Sequence, residues 1–277
     1  MTGSSAPIGV FDSGFGGLAL VSAVQRLLPT ENIVYLGDSA RQPYGPRPLA
    51  EIREISLECL DRLVDDGVKA LVIACNTASA AALRDARERY RIPVIEVVGP
   101  ASRTAAKATR NGRVGVVCTE ATRVSRAYED AFAAAPHIDL VIAACPPFVD
   151  FVEAGVTTGP ELAAVVQRCL APLVAAEVDT LILGCTHYSL ISEAIAGAMG
   201  ERVRLVSSAE TAAEELAACL RRSNLCHPAT EGQPSYLFQT TGDLGYFESI
   251  GSRLLGLPFR GRSAEAVSRA VFALTHR

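Results

Sequence analysis

No run of apolar residues in this chain approaches the eighteen or so that a transmembrane helix requires, so a helical membrane protein is excluded and no membrane partner is expected. Charge is also in short supply. Asp, Glu, Lys and Arg make up only 20% of the residues against 49% hydrophobic ones, a balance that a disordered chain does not have. Nor is there a basic excess: 30 acidic side chains against 26 basic ones leave a formal charge of -4. That offers no general field for a phosphate backbone, and nucleic acid is not an expected partner. The local basic run of Arg103, Lys107, Arg110 and Arg113 reads as a solvated helix end. The segment Met1 to Pro7 lacks the basic and then apolar order of a secretory signal, which makes the cytoplasm the expected compartment. There the eight cysteines are expected as free thiols, each by default a small buried hydrophobe. What remains is a globular chain of 277 residues, enough for two domains or one large one.

Short β-branched runs recur along it: Ile8 to Phe11, Ile33 to Leu36, Ala70 to Ala74, Val94 to Val98, Val114 to Val117, Leu140 to Ala143, Thr180 to Leu183 and Val203 to Val206. The stretches between them carry helical periodicity, as in Leu18, Val21, Val24 and Leu28, or Leu162, Val165, Val166, Cys169 and Leu173. Strand and helix in alternation predict an α/β protein with parallel sheets covered on both faces. An internal echo decides how many sheets. Ala70-Leu-Val-Ile-Ala-Cys75-Asn-Thr and Thr180-Leu-Ile-Leu-Gly-Cys185-Thr-His align without gaps, 110 positions apart. Ile8-Gly-Val-Phe-Asp12-Ser13 resembles Val114-Gly-Val-Val-Cys118-Thr119 at an offset of 106. The echo predicts two similar α/β lobes related by a pseudo-twofold repeat. Gly99-Pro100 marks the crossing and Ser207-Ser208 the return, which divides the chain into a first lobe of residues 1–98 plus 207–277 and a second of 99–206. Tyr236 to Thr240 is expected to complete the first lobe's sheet or its edge.

Parallel sheets bind ligands beyond the carboxyl ends of their strands. Both echoing cysteines lie there, Cys75 before a helix of about Ala78 to Tyr90 and Cys185 before one near Leu190 to Met199. Free N–H groups at a helix start favour an anion and depress a thiol's pKa, and they can hold a carboxylate. One such cysteine is usually core; two at equivalent places in a repeat point to chemistry. The turn Asp12-Ser-Gly14-Phe-Gly16-Gly17 satisfies a weak dinucleotide fingerprint through Gly14, Gly16 and Ala19, with Asp38 as the ribose ligand. Asp12 argues against a pyrophosphate there and for an ammonium group or a proton relay to a thiol. Gln42-Pro-Tyr44-Gly45 is an ordered loop, Glu153 sits on a short helix ending at Gly155, and His187 follows Cys185 by two, near enough to exchange protons.

Five motifs in order, Phe11-Asp-Ser-Gly-Phe-Gly-Gly17, Tyr35-Leu-Gly-Asp38, Pro43-Tyr-Gly45, Cys75-Asn-Thr-Ala78 and Gly184-Cys-Thr-His-Tyr188, resemble the glutamate racemase family, with similarity over about residues 8 to 257. The resemblance implies two α/β lobes around the site, a two-base mechanism without a cofactor, and a supply of D-glutamate for bacterial peptidoglycan and cell shape. It implies Cys75 and Cys185 as the bases, facing D- and L-glutamate respectively, with Asp12 and His187 assisting and Glu153 in the proton network. Ser13, Tyr44, Gly45, Asn76, Thr77 and Thr186 match positions that hold the substrate, and it raises a homodimer as the assembly. Ser189, Cys118, Pro147 and Asp150 depart from the family pattern, which concerns loop geometry more than the thiol pair.

The residues agree with that chemistry. Inverting an α-carbon needs a proton removed from one face and delivered to the other, which suits two groups on opposite sides. Pyridoxal phosphate would be the usual electron sink. The chain has only Lys69 and Lys107 for its Schiff base, one at a strand entrance and one in the basic run, so no cofactor is expected. No metal-ligand spacing appears around Cys185 and His187. The alternatives are an aspartate or hydantoin racemase on the same plan, a nucleotide-binding dehydrogenase using the Gly14 to Ala19 turn, and a non-catalytic pair of binding lobes.

Overall fold

The computed structural model describes residues 3–228, 233–255 and 260–264, so parts of the expected 207–277 segment lie outside the described residues. The chain opens with β1 (Ile8–Asp12), α1 (Leu18–Leu27), β2 (Ile33–Gly37), α2 (Leu49–Asp65), β3 (Ala70–Ile73), α3 (Asn76–Arg89) and β4 (Val94–Glu96). Helix α4 (Val98–Ala108) leads to β5 (Arg113–Cys118), α5 (Glu120–Ser125), α6 (Ala127–Phe132), β6 (Asp139–Ala144), α7 (Pro147–Glu153), α8 (Pro160–Ala175) and β7 (Thr180–Gly184). A 3-10 segment, Thr186–Ile191, precedes α9 (Ser192–Met199) and β8 (Arg204–Ser207). The chain returns through α10 (Ser208–Arg222) to β9 (Tyr236–Thr240), α11 (Leu244–Leu255) and β10 (Arg262–Ser263).

All strand pairs run parallel, in two sheets ordered β10-β9-β2-β1-β3-β4 and β6-β5-β7-β8. The order β2-β1-β3-β4 in one lobe is repeated as β6-β5-β7-β8 in the other, as the sequence echo predicts. Packing repeats too. On the central strand of the first lobe, a Cβ at Gly9 would meet Val68 and Leu71; at Gly115 it would meet Val178 and Leu181, the residues 110 positions on. The small residue lets the segment before the next strand lie flat on the sheet in both lobes. Apolar clusters cover both faces of each sheet: α1 and α10 against α2 and α3 in the first, α8 and α9 against α4 and α6 in the second.

One strand ends earlier than its β-branched run predicts. Val94 to Val98 reads as a strand, but the Glu96 carboxylate accepts the N–H groups of Val98 (2.5 Å) and Gly99 (2.8 Å) and so turns the chain into α4. Ser207 does the same for α10 at the equivalent strand end, accepting from Glu210 N–H. Both crossings between lobes are therefore helix starts with built-in caps. No helix among the described residues is long and apolar enough to cross a membrane.

At the opposite end of the first sheet from these caps, Lys69 Nζ pairs with Glu31 Oε2 at 2.5 Å, both side chains fully buried, and Glu31 Oε1 accepts the His227 N–H at 2.8 Å. Lys69 also donates to the Ser4 carbonyl. Removing one partner of such a pair strands a buried charge. Lys69→Met should therefore cost about 3–5 kcal/mol in urea unfolding. Lys69→Met combined with Glu31→Gln should lie closer to wild type than Lys69→Met alone; a double variant at least as unstable as the single would show that the stranded charge is not the cause.

Candidate active site

Cys75 and Cys185 stand at the carboxyl ends of the equivalent strands β3 and β7, and both open on one cavity of about 210 Å³ between the lobes. That is below the roughly 300–1,000 Å³ of drug-sized sites and suits a small metabolite. Ser13, Tyr44, Gly45, Thr77, Glu153 and His187, all expected site residues, line it with them. Asp12, Asn76 and Thr186 are buried just outside the lining.

The two thiols have different surroundings. Cys75 directly precedes the fourteen-residue α3, as expected, and takes hydrogen bonds from the Ala78 N–H and the Ser13 side chain. Burial and the neighbouring Asp12 charge outweigh these and push the thiol up to about 12. Cys185 precedes no α-helix start: the chain passes directly into the 3-10 segment, and α9 begins only at Ser192. Its partner is a side chain instead. His187 Nδ1 lies 3.7 Å from Cys185 Sγ, and His187 Nε2 lies 3.5 Å from Glu153 Oε1. Burial alone would lower the imidazole's pKa, but the contacts with Cys185 and Glu153, with Asp12 nearby, raise it to about 10. The shift favours the charged imidazole, which lies in a row between the Cys185 thiol and the Glu153 carboxylate.

The glycine turn has a reason of its own. Gly14, Gly16 and Gly17 all keep ordinary backbone angles, so no left-handed turn demands them. Close approach does. A Cβ on Gly16 would lie 2.3 Å from Thr186 Oγ1 and 2.8 Å from His187 Nδ1, across the lobe boundary; one on Gly17 would lie 2.7 Å from Asp12 Cβ. A Cβ on Gly14 would lie 2.0 Å from Gln42 Oε1. Packing against protein side chains thus accounts for these glycines without a dinucleotide. Asp38 is likewise committed: its Oδ2 accepts Tyr44 OH at 2.5 Å and Arg41 Nε at 2.7 Å, and its Oδ1 accepts Thr241 Oγ1 at 2.7 Å. It holds the Tyr44 loop against the site and serves no ribose.

Asp12 is fully buried beneath this turn and accepts the Gly14 N–H at 2.9 Å. Burial raises its carboxyl above the ordinary value, opposed by His187 and the N–H groups of Gly14 and Gly17. It therefore sits between the two proton-handling groups, near enough to Cys75 and to His187 to influence both.

Thr119 also lines the cavity, and its hydroxyl forms a buried triangle with Thr77 (2.8 Å) and Thr122 (3.0 Å), Thr77 and Thr122 being 3.1 Å apart. Sequence reasoning did not select Thr119, although the 106-residue echo makes it the counterpart of Ser13. Gln42, Pro43, Pro46, Glu120, Pro146 and Val149 complete the lining with Asp150, one of the departures from the family pattern. Of the others, Pro147 opens α7, Ser189 Oγ meets Ser207 Oγ at 3.3 Å, and Cys118 is buried at the end of β5, where the first lobe has Asp12. Among the described residues no lysine or arginine is in the lining, which leaves hydroxyls, backbone N–H groups, the Gln42 amide and His187 as donors for a carboxylate. Among the described residues no three His, Cys, Asp or Glu side chains are grouped to hold a metal ion.

Comparison with known proteins places this geometry. A glutamate racemase from Parafrankia is 56% identical over 253 residues, covering 91% of this chain and 92% of that one. The structure of a glutamate racemase isoform from Bacillus anthracis superposes with a TM-score of 0.88 at 40% identity, covering 94% of this chain and 97% of its own. That of a glutamate racemase from Francisella tularensis in complex with D-glutamate gives 0.87 at 35% identity, with the same coverage. The Asp/Glu/Hydantoin racemase model matches residues 16–216, and the chain belongs to that family.

Proposed function

We propose that this protein interconverts L- and D-glutamate by two-base proton transfer between Cys75 and Cys185. The observation that carries the mechanism is the pair of thiols at equivalent strand ends of two lobes, opening on one small cavity. A substrate lying between them offers its α-carbon to a thiolate on one face and a thiol on the other. The thiolate takes the α-proton, the thiol gives its own to the opposite face, and the two sulfurs exchange states. The substrate assignment draws on relatives and structural neighbours that are glutamate racemases, one of them with D-glutamate bound. D-Glutamate supply for peptidoglycan, in the cytoplasm, is the role this reading fits.

The surroundings support the step. A thiol pushed up to about 12 is a scarce thiolate but a strong base, which a weakly acidic α-hydrogen demands. His187, whose charged form is favoured by its contacts with Cys185 and Glu153, supplies the counter-charge for Cys185 when the thiol has given up its proton. Ser13, Thr77 and the backbone at Tyr44 and Gly45 are the groups at the cavity wall suited to the substrate's carboxylates, with Asn76 and Thr186 behind them. Neither lysine can join a Schiff base here: Lys69 is paired with Glu31 at the far end of β3, and Lys107 is exposed on α4.

Cys75→Ala and Cys185→Ala should each reduce racemisation by at least the 10²–10⁴-fold, roughly, that a positioned acid or base contributes. Cys169→Ala or Cys219→Ala should leave turnover largely intact. Following α-deuterium uptake and circular dichroism together in deuterated water checks this, and near wild-type turnover in either active-site variant would end the two-thiol assignment.

Asp12→Asn should harm transfer at Cys75 more and His187→Asn transfer at Cys185 more, so the two variants should show unequal kcat losses in the two directions. The enantiomers are equal in free energy, so each directional loss must be balanced in KM. Equal losses in both directions with a lowered melting temperature would reduce the pair to loop braces.

His187 also links stability to pH. Its folded pKa is raised from 6.5 to about 10, so its stabilising contribution is full below the ordinary histidine value and fades as pH climbs through about 10. The gap in melting temperature between wild type and His187→Asn should therefore narrow from about pH 6 to about pH 10.5. A gap that widens over that range would mean the imidazole is buried neutral.

A further inference from the structure

Outside the cavity lining, four polar groups form an unbroken chain across the lobe boundary. The Tyr128 hydroxyl on α6 donates to Asn76 Oδ1 at 2.7 Å, Asn76 Nδ2 donates to Ser208 Oγ at 3.2 Å, and the Ser208 hydroxyl donates to the Leu183 carbonyl on β7 at 2.8 Å. Tyr128, Asn76, Ser208 and Leu183 are all buried. The directions are dictated by the last link. A carbonyl can only accept, so Ser208 gives its one proton to Leu183 and must accept from the amide nitrogen, which leaves the amide oxygen for Tyr128.

Two members of the chain, Asn76 and Leu183, lie near the two thiols in sequence. Asn76 directly follows Cys75 and opens α3, whose Ala78 N–H bonds the Cys75 sulfur. Leu183 lies two residues before Cys185, near the end of β7. Tyr128 belongs to the second lobe, while Ser208 opens the helix that brings the chain back to the first. We propose that Tyr128 and Ser208 are positioning residues that act through the Asn76 amide to fix the spacing and orientation of Cys75 relative to Cys185. The inference rests on the two-thiol reading above. Proton transfer at carbon tolerates little error in placement, and a shift of about 1 Å costs roughly a hundredfold. In a buried chain each lost member leaves its neighbour unpaired, so the neighbour moves to find another partner. Here the neighbour is Asn76, the first residue of the helix that follows Cys75.

The test compares wild type with Tyr128→Phe, Ser208→Ala, their double variant and Asn76→Ala. The readouts are kcat and KM for each glutamate enantiomer, melting temperature, and the pH dependence of Cys75 alkylation by iodoacetamide, followed by peptide mass spectrometry. Tyr128→Phe keeps the ring and its packing, so a folded variant is expected. Each single change should lower kcat about 10- to 100-fold in both directions with little change in KM, and should shift the Cys75 alkylation profile. The double variant should lose no more than the worse single, because both act through one amide. Wild-type kcat in both singles, with only a lower melting temperature, would make the chain a structural brace and overturn the proposal. So would additive losses, or a raised KM in Asn76→Ala with the other two variants kinetically silent, which would make Asn76 a direct substrate ligand. If wild type turns over neither enantiomer, the racemase reading fails on its own; the alkylation profiles of Tyr128→Phe and Ser208→Ala then decide the positioning role, a shift supporting it and unchanged profiles overturning it.

Discussion

How closely the two lobes can approach governs everything at the site. The first lobe's turn meets the second lobe's Thr186 and His187 at Gly16, where even a methyl group would fall within 2.3 Å of the Thr186 hydroxyl. Because nothing projects there, His187 lies close enough to the buried Asp12 for each to act on the other's titration, and Asp12 does the same to Cys75. A side chain at Gly16 would push the lobes apart or displace His187, and the thiols would no longer share a cavity narrow enough for one α-carbon. Glycine here is required by contact between lobes; its own backbone angles would suit any residue.

A repeated scaffold supplies two equivalent thiols, yet a racemase needs each to have its own proton partner. The lobes diverge at the residues that provide this. The end of β1 carries Asp12 where the end of β5 carries Cys118, and the position two after the thiol is Thr77 in one lobe and His187 in the other. Local structure diverges with them. Cys75 has the N–H groups of an α-helix start, while Cys185 is followed by a 3-10 segment and relies on His187 and Glu153. Each lobe thus has one buried proton-carrying partner for its thiol, contributed from a different element. Symmetry of fold brings both cysteines to one cavity from equivalent strand ends, and asymmetry of neighbours gives each different surroundings.

Much of this was legible in the sequence because repetition is a strong signal. The alignment of Ala70 to Thr77 with Thr180 to His187 is enough to predict two lobes and equivalent strand ends, and the strands start and stop within a residue or two of their β-branched runs. The exceptions are places where a side chain overrides the pattern. Glu96 cuts β4 short by capping α4, which the apolar run Val94 to Val98 conceals. The 3-10 segment after Cys185 differs from its counterpart despite the aligned sequence, so the echo over-predicts a helix start there. The fingerprint in the glycine turn misleads because glycine spacing does not say what fills the space, and here Gln42, Thr186 and His187 fill it. The link between Tyr128, Asn76 and Ser208 leaves no trace in local pattern at all, since its members are separated by 52 and 132 positions and meet only when both lobes are folded.

The wall of the cavity has a further consequence for the chemistry. A site for a dicarboxylate would ordinarily be expected to carry arginine, whose forked guanidinium pairs with carboxylates in two parallel bonds. Among the described residues this one has none, and its lining includes Glu120, Asp150 and Glu153. Holding the carboxylates with hydroxyls and N–H groups gives up affinity, but it avoids a permanent cation that would hold the substrate's ground state as firmly as its carbanion. Only interactions that strengthen as charge moves toward the α-carbon accelerate the step. His187 is the titratable cation at this wall, its Nδ1 3.7 Å from Cys185 Sγ, and the rest of the lining is neutral or acidic.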